Sequence, residues 1–367
     1  MTHQMKTIKT GKYSHLAGAY FSYILLFFLV LPLKLGGPTY FAAGAFLFLL
    51  VPLLDALAGK DRNQFSPESF SPVEKLLLRF APIGYVLGYI IIFFLYTRHF
   101  DSLRIIEQIG AILSMGAAGT ITVTACHELV HKSDWVSRTS ARMGFMLVGF
   151  MHFEIFHPVI HHKEVGTKKD INTAWINESA FTYVSRTVPD AIKYSFNYEK
   201  KRLTEMGHQY ISYQYRMLWF IGFPILITIL LSLLVSPSAS LLYILQAFIA
   251  VFCHDVVNYI QHYGLLRKQN KDGSFERVQD HHSWDSYHKF SNYILFMLQR
   301  HAAHHKKATK QYYYLGANNK SPQLPFGYPM MIVLAMIPPL WRAVQNPGVW
   351  ESLGPDFQSL KSCSSKT

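Results

Sequence analysis

The sequence predicts an all-α integral membrane protein, a single domain of six transmembrane helices with a histidine-rich site at their cytosolic ends. Three observations predict it. Half of the 367 residues are hydrophobic and only 16% are charged, a balance unlike that of ordinary soluble domains. The apolar residues gather into runs close to the roughly 20 residues that cross a bilayer. Nine of the 18 histidines fall in four tight groups, each beside the end of such a run or in the polar segments that follow.

In chain order, the expected spans are about 19–36 (AYFSYILLFFLVLPLKLG), 39–58 (TYFAAGAFLFLLVPLLDALA), 81–97 (APIGYVLGYIIIFFLYT), 109–126 (IGAILSMGAAGTITVTAC), 217–236 (MLWFIGFPILITILLSLLVS) and 239–260 (ASLLYILQAFIAVFCHDVVNYI). Lys6, Lys9 and Lys12 give the first run a basic lead-in like that of a signal peptide, but no small-residue cleavage pattern follows, so the helix is expected to be retained. A seventh apolar stretch, 327–341, is short and broken by Pro338 and Pro339, which predicts an interfacial or re-entrant helix rather than a span.

Lys and Arg favour the cytosolic side. The links after the first and fifth runs are nearly uncharged, whereas 59–80 carries Lys60, Arg62, Lys75 and Arg79 and the stretch 163–216 is basic. Both termini, the 59–80 loop and the catalytic segments 127–216 and 261–353 are therefore expected in the cytosol, with 354–367 a disordered tail. A net charge of +13 suits membrane lipid and an acidic protein partner, and no recognition motif for nucleic acid accompanies it. Cys126, Cys253 and Cys363 form no CxxC pair, which excludes a disulfide framework and a fused thiolate-iron module.

The histidine groups are His127 and His131 in HELVHK; His157, His161 and His162 in HPVIHH; His262 in NYIQHYG; and His301, His304 and His305 in LQRHAAHHKK. On this topology all four lie at one membrane face. Helical spacing puts His127 with His131, His157 with His161, and His301 with His304 and His305 on single faces. Imidazole is the commonest metal ligand, and nine nitrogens exceed one ion but suit two ions of four or five each. Iron with open positions is the metal of oxygen chemistry. Isolated histidines such as His3, His15, His99, His152 and His208 are read as structural, and His254, His281, His282 and His288 as outer or structural.

Together these motifs resemble the bacterial integral-membrane alkane 1-monooxygenases of the membrane desaturase and hydroxylase superfamily. HELVHK, HPVIHH and LQRHAAHH match its three histidine boxes and NYIQHYGL its additional signature, while PLLDALAGKD, HSWDSYHKFSN and LPFGYPMMIVLAMIPPLWRAV read like its flanking segments. The resemblance implies a nonheme diiron hydroxylase, two irons held by the nine histidines above, with O2 as co-substrate. It also implies a hydrocarbon substrate, a rubredoxin and its reductase as electron donors, and a place in the bacterial inner membrane. Glu128, Asp255, Asn258, Gln261 and His282 are the expected outer supports, and Lys132, Lys163, Lys306, Lys307 and Lys310 the expected docking surface for the donor. An apolar channel is expected between the spans, whose Phe27, Phe28, Phe41, Phe46, Phe48, Gly44, Gly84 and Gly88 also suit ordinary helix packing.

Two positions depart from the family pattern, Phe156 and Gln261 standing where a glutamate is usual. Aromatic-methyl hydroxylases can carry glutamine at the second. HELVH also satisfies HExxH, the zinc-protease pattern with Glu128 as base, but that reading leaves seven grouped histidines idle. Fatty acyl hydroxylation, desaturation or decarboxylation by the same irons would need a docking surface for a polar carrier. Metal transport would need ligands along a path across the membrane, whereas the grouped histidines all lie at one face.

Overall fold

In the computed structural model, which describes residues 3–208 and 213–353, helices and connecting loops form the chain and no sheet is present among the described residues. The expected tail and Cys363 lie outside them. α1 (His3–Gly18), from Gly11 onward, and α2 (Tyr23–Leu35) make a broken span bent by 41°. The break falls where Gly18 presses on the Tyr293 ring, whose atoms would stand 2.5 Å from an added Cβ. Five further helices are long and apolar enough to cross a membrane: α3 (Gly37–Ala58), α4 (Pro72–Ser102), α5 (Ile105–Val130), α9 (Arg216–Leu234) and α10 (Pro237–His262). With the bent pair counted as one span they number six, as expected.

Helices α4 and α5 reach well beyond the apolar runs that announced them. α4 starts at a capping box, Ser71 accepting from Glu74 N and Glu74 accepting from Ser71 N, with Pro72 in the first helical position. α5 is the central column, 83% of its apolar window being buried. Its small residues admit close neighbours: a Cβ on Gly116 would meet Ile249 at 2.5 Å and one on Gly119 would meet Ala250 at 2.8 Å. Gly84 and Gly88 likewise seat Tyr23 and Leu26 of α2, which is the packing role rather than the lining of a channel.

After α5 the chain turns back along the bundle. α6 (Trp135–Leu147), capped by Asp134, runs back along α5 and α4. Gly144 sits against Cys126 and Val86, and the Met146 and Leu147 carbonyls accept from Tyr243 and Gln246 of α10. Gln246 precedes His262 by sixteen positions, so the hairpin tip lies about 24 Å along α10 from the histidine end. The turn closes at Gly149, whose φ of 65° lies in the left-handed region. The chain returns through α7 (Phe153–Phe156) into the second histidine box.

α8 (Ala180–Glu205) is amphipathic and packs on α7 and α10. α11 (Lys289–Ile294) and α12 (His301–Lys306) are short helices over the histidine end. The stretch from 327 folds as α13 (Tyr328–Ala335), buried against α10 and too short to span, and α14 (Pro338–Leu353) begins at its proline.

Candidate metal centre

The nine grouped histidines meet at one end of the bundle, in two adjacent sets. His127, His131, His157, His162 and His304 bring one ligand atom each within 4.8 Å of one another, and so do His161, His262, His301 and His305. His162 and His305, one from each set, are 4.7 Å apart between ring centres. Facing Nε2 atoms stand 3.2 Å apart for His131 and His157, 3.0 Å for His157 and His162, and 3.2 Å for His162 and His304. In the second set the separations are 3.1 Å for His262 and His301 and 2.9 Å for His301 and His305.

These contacts cannot all be hydrogen bonds. A ring nitrogen offers either one proton or one lone pair, so His162 Nε2 cannot accept from one neighbour and donate to the next. Nitrogens bound about 2.1 Å from a common ion at right-angled positions stand about 3.0 Å apart. The donor set therefore fits two metal ions, five nitrogens around one and four around the other. Iron, zinc and other imidazole-binding metals all suit such nitrogens.

The local helix geometry sorts the ligands differently from simple helical spacing. His157–His161 forms a single π turn in which His162 N donates to His157 O five residues back. A turn closed this way brings residues five apart to one side, so His162 joins His157 and His161 passes to the other set. On α12, His301 and His305 stay together while His304 faces the first set. The expected pairing of His157 with His161, and of His301 with both of its neighbours, is thus corrected.

Each box is fixed by groups outside it. Asp285 accepts from Ala302 N at 2.9 Å and from the Tyr287 and Ser321 hydroxyls at 2.8 Å, holding the first turn of α12. Arg300, fully buried, donates to the carbonyls of Asn63, Leu315 and Asp61 and locks the chain just before His301. Phe296 and Met297 precede it at φ of 47° and 57°, a strained pair held by the Met297 N bond to Asn292 O. Asp55 accepts from the Phe290 and Ser291 amides and anchors α11.

Asp170, which sequence reasoning missed, is the one carboxylate hydrogen-bonded to a grouped imidazole among the described residues. Its Oδ2 takes the proton of His161 Nδ1 at 2.9 Å, with both side chains fully buried, and its Oδ1 accepts from Asn172 N. This leaves His161 Nε2 free to bind, its tautomer fixed. Nothing in KKDINTA marks the residue, since only the fold of the 163–173 loop brings it back to His161.

The expected outer supports fare unevenly. Glu128 is turned from the imidazoles and buried against Lys132 Nζ at 2.6 Å and Tyr312 N at 3.1 Å, so it has no access to a metal-bound water and the zinc-protease reading loses its base. Asp255 accepts from the Thr187 hydroxyl and from Asn258, and so supports α8 rather than a ligand. The Gln261 amide nitrogen and His262 Nδ1 are both buried without a partner among the described residues. His282 accepts from Gln279 N at Nδ1, so its Nε2 carries the proton it donates to Glu276. That protonated Nε2 argues against a third metal at Glu276, His281 and His282, although their ligand atoms lie within 4.8 Å.

Burial, and then the neighbouring imidazoles or lysine, lowers the basicity of the ligands outside the spans, His131 to about 3 and His157, His162, His301, His304 and His305 well below the usual range. Neutral imidazoles are the form that binds metal. Of the expected docking lysines, Lys163, Lys306 and Lys307 are exposed and Lys310 half-buried. Lys132 is not on the surface: its side chain is 8% exposed, paired with Glu128 and bonded to Lys310 O.

A sequence profile described as fatty acid desaturase matches residues 106–334. The alkane 1-monooxygenase 2 of Alcanivorax borkumensis is 34% identical over 83% of this chain and 81% of its own length. The alkane 1-monooxygenase of Acinetobacter baylyi is 30% identical over 88% and 78%. The hydroxylase component of a xylene/toluene monooxygenase from Pseudomonas putida is 25% identical over 82% and 80%.

Proposed function

The chain belongs to the fatty acid desaturase family and groups there with the alkane 1-monooxygenases, and from this membership we propose that it hydroxylates the terminal methyl group of alkanes to primary alcohols. The observation that carries the reading is the pair of adjacent buried imidazole sets at one end of an apolar bundle. Two irons, one per set, would be held by His127, His131, His157, His162 and His304 and by His161, His262, His301 and His305, and would supply the activation of O2 with electrons from outside.

The chain's own groups do the rest. Seven of the nine histidines are buried, and His131 and His162 are partly buried, which keeps bulk water from the site. Phe153 stacks on His157 at 4.4 Å with an interplanar angle of 11°, and lies 5.9 Å from His127. It gives the membrane side of the first set an apolar floor, with Phe150 behind it at 5.2 Å. A hydrocarbon with no polar handle is positioned by such shape alone. Asp170 orients His161, and Asp285 and Arg300 hold the third box.

Electrons enter from an acidic rubredoxin, kept reduced by its reductase, docking at Lys163, Lys306 and Lys307 at the inner face of the bacterial cytoplasmic membrane. Lys306 also pairs with Asp280 at 2.6 Å, so Lys163 and Lys307 carry more of the attraction. Cells expressing the chain with a rubredoxin system, fed octane, hexadecane, toluene and a fatty acid in parallel, test the reading. Primary alcohol from an alkane is expected. Benzyl alcohol alone moves the assignment to aromatic methyl groups, which the replacement Gln261 would then explain, and product from the fatty acid alone moves it to acyl chains. Metal analysis is expected to give about two irons per chain, one for each imidazole set.

A further inference from the structure

Away from the histidines, four arginines and two glutamates from four helices meet at the foot of α9. Glu154 of α7, with its side chain 4% exposed, accepts from Arg142 Nε at 2.8 Å and NH2 at 2.6 Å and from Arg138 NH2 at 3.2 Å. Glu199 of α8, fully buried, accepts from Arg202 Nε at 2.8 Å and NH2 at 2.9 Å and from Arg216 NH2 at 2.5 Å. Arg216 also acts on the charge of Glu154, which joins the two pairs into one network. Burial would raise the Glu199 carboxyl, but its hydrogen bonds to Arg216 and Arg202 outweigh that and hold it at about 2. Both carboxylates are therefore ionised, and the network keeps an excess of two positive charges.

That excess faces outward at a boundary. Arg138 and Arg142 keep 45% of their side chains exposed, and with Trp135, 78% exposed, they follow the i, i+3, i+7 spacing of one stripe of α6. Arg216 is the first residue of α9, and exposed Leu218, Trp219 and Ile221 follow at once on a span of which only 17% is buried. Arg216 Nε is buried with no partner among the described residues. Guanidinium groups beside exposed indoles, at the level where an apolar helix surface begins, match the depth of lipid phosphates.

We propose that this cluster is a binding site for the phosphate of an acidic phospholipid headgroup. Guanidinium forks recognise phosphate oxygens in pairs, and a negative charge there relieves the mutual repulsion of the four arginines. The acyl chains of such a lipid would lie along the exposed apolar face of α9, which a soluble anion or an acidic protein would leave uncovered. Because Glu154 stands three residues before His157, the bound lipid steadies the chain entering the second histidine box.

The test is thermal unfolding of the delipidated full chain in nanodiscs of phosphatidylglycerol or of phosphatidylcholine, with native mass spectrometry of retained lipid. The midpoint is expected to rise by several degrees more with phosphatidylglycerol, and that lipid to be retained. Arg138→Gln, which leaves Glu154 its two-fold bond to Arg142, is expected to lose at least half of the difference. The charge-balanced variant Arg138→Gln, Arg142→Gln, Glu154→Gln is expected to lose it wholly; should it not fold, the single variant decides. Equal stabilisation by the two lipids, an undiminished difference in Arg138→Gln, or the full effect from millimolar inorganic phosphate alone would overturn the assignment.

Discussion

Replacing Asp170 by asparagine separates the two imidazole sets. The carboxylate serves two donors on opposite sides, His161 Nδ1 at 2.9 Å and Asn172 N at 3.0 Å. An asparagine has one acceptor oxygen. If it faces His161, its amide group confronts the Asn172 N–H; if it turns, His161 loses its partner and its fixed tautomer. A buried donor left unpaired costs about 1–3 kcal/mol, and loss of an outer carboxylate from a metal-binding histidine lowers affinity about 10–100-fold, or about 1.4–2.7 kcal/mol. Only the four-nitrogen set contains His161, and it begins with one ligand fewer. Under graded chelation followed by plasma mass spectrometry, the variant is expected to release one of two metal equivalents at about 10–100-fold lower chelator, the other leaving as in the parent chain. His304→Ala, which depletes the five-nitrogen set, is the complementary control. Release of both equivalents together, or of neither earlier than in the parent, would refute the division of the nine nitrogens into two sets with Asp170 supporting one.

Asp285→Ala removes the acceptor of Ala302 N and leaves the Tyr287 and Ser321 hydroxyls the Asn318 carbonyl to share, so a loss of about 1–3 kcal/mol in unfolding free energy is expected, with Asp285→Asn restoring most of it; equal losses in both would show that the bond to α12 contributes nothing. Gly144→Val drives a side chain into Cys126 and Val86, where the first added carbon already stands 2.3 Å from the cysteine sulfur, and is expected to cost about 1–3 kcal/mol and lower the melting temperature; an unchanged value would mean the hairpin tip is not packed there. The metal-stripped protein is expected to lose stability as pH falls below about 6.5. The grouped imidazoles outside the spans take up protons in the folded state only far lower, His131 at about 3, while the unfolded chain binds them near the ordinary value, so protonation favours unfolding across that window. Melting temperatures at pH 8 and pH 5.5 measure it, and a flat profile would contradict the buried neutral state.

Residue types and their order along the chain determined a good deal. Long apolar runs had to be satisfied inside a bilayer as helices, and nine histidines in four short boxes were too many for chance, so the helical class, the six spans with the bent pair and the gathering of these histidines at one end of the bundle were all legible. Even the longer start of α4 was written locally, in Ser71, Pro72 and Glu74. Hydropathy has no term for depth regained by a polar helix, so the return of α6 into the bundle was not legible: its arginines read as cytosolic, and only the packing of Gly144 on Cys126 and the bonds from Tyr243 and Gln246 to its end place it. The partition of the ligands was also decided in three dimensions. Spacing assumes one helical period, whereas the π turn at His157–His161 changes that period and sends His161 away from His157. Asp170 came within reach of His161 through the course of a loop, which no periodicity encodes. Residue order thus determined which groups are available as metal ligands, since chemistry resides in side chains, while tertiary structure decided which of them stand together, since that depends on distances between segments far apart in the chain.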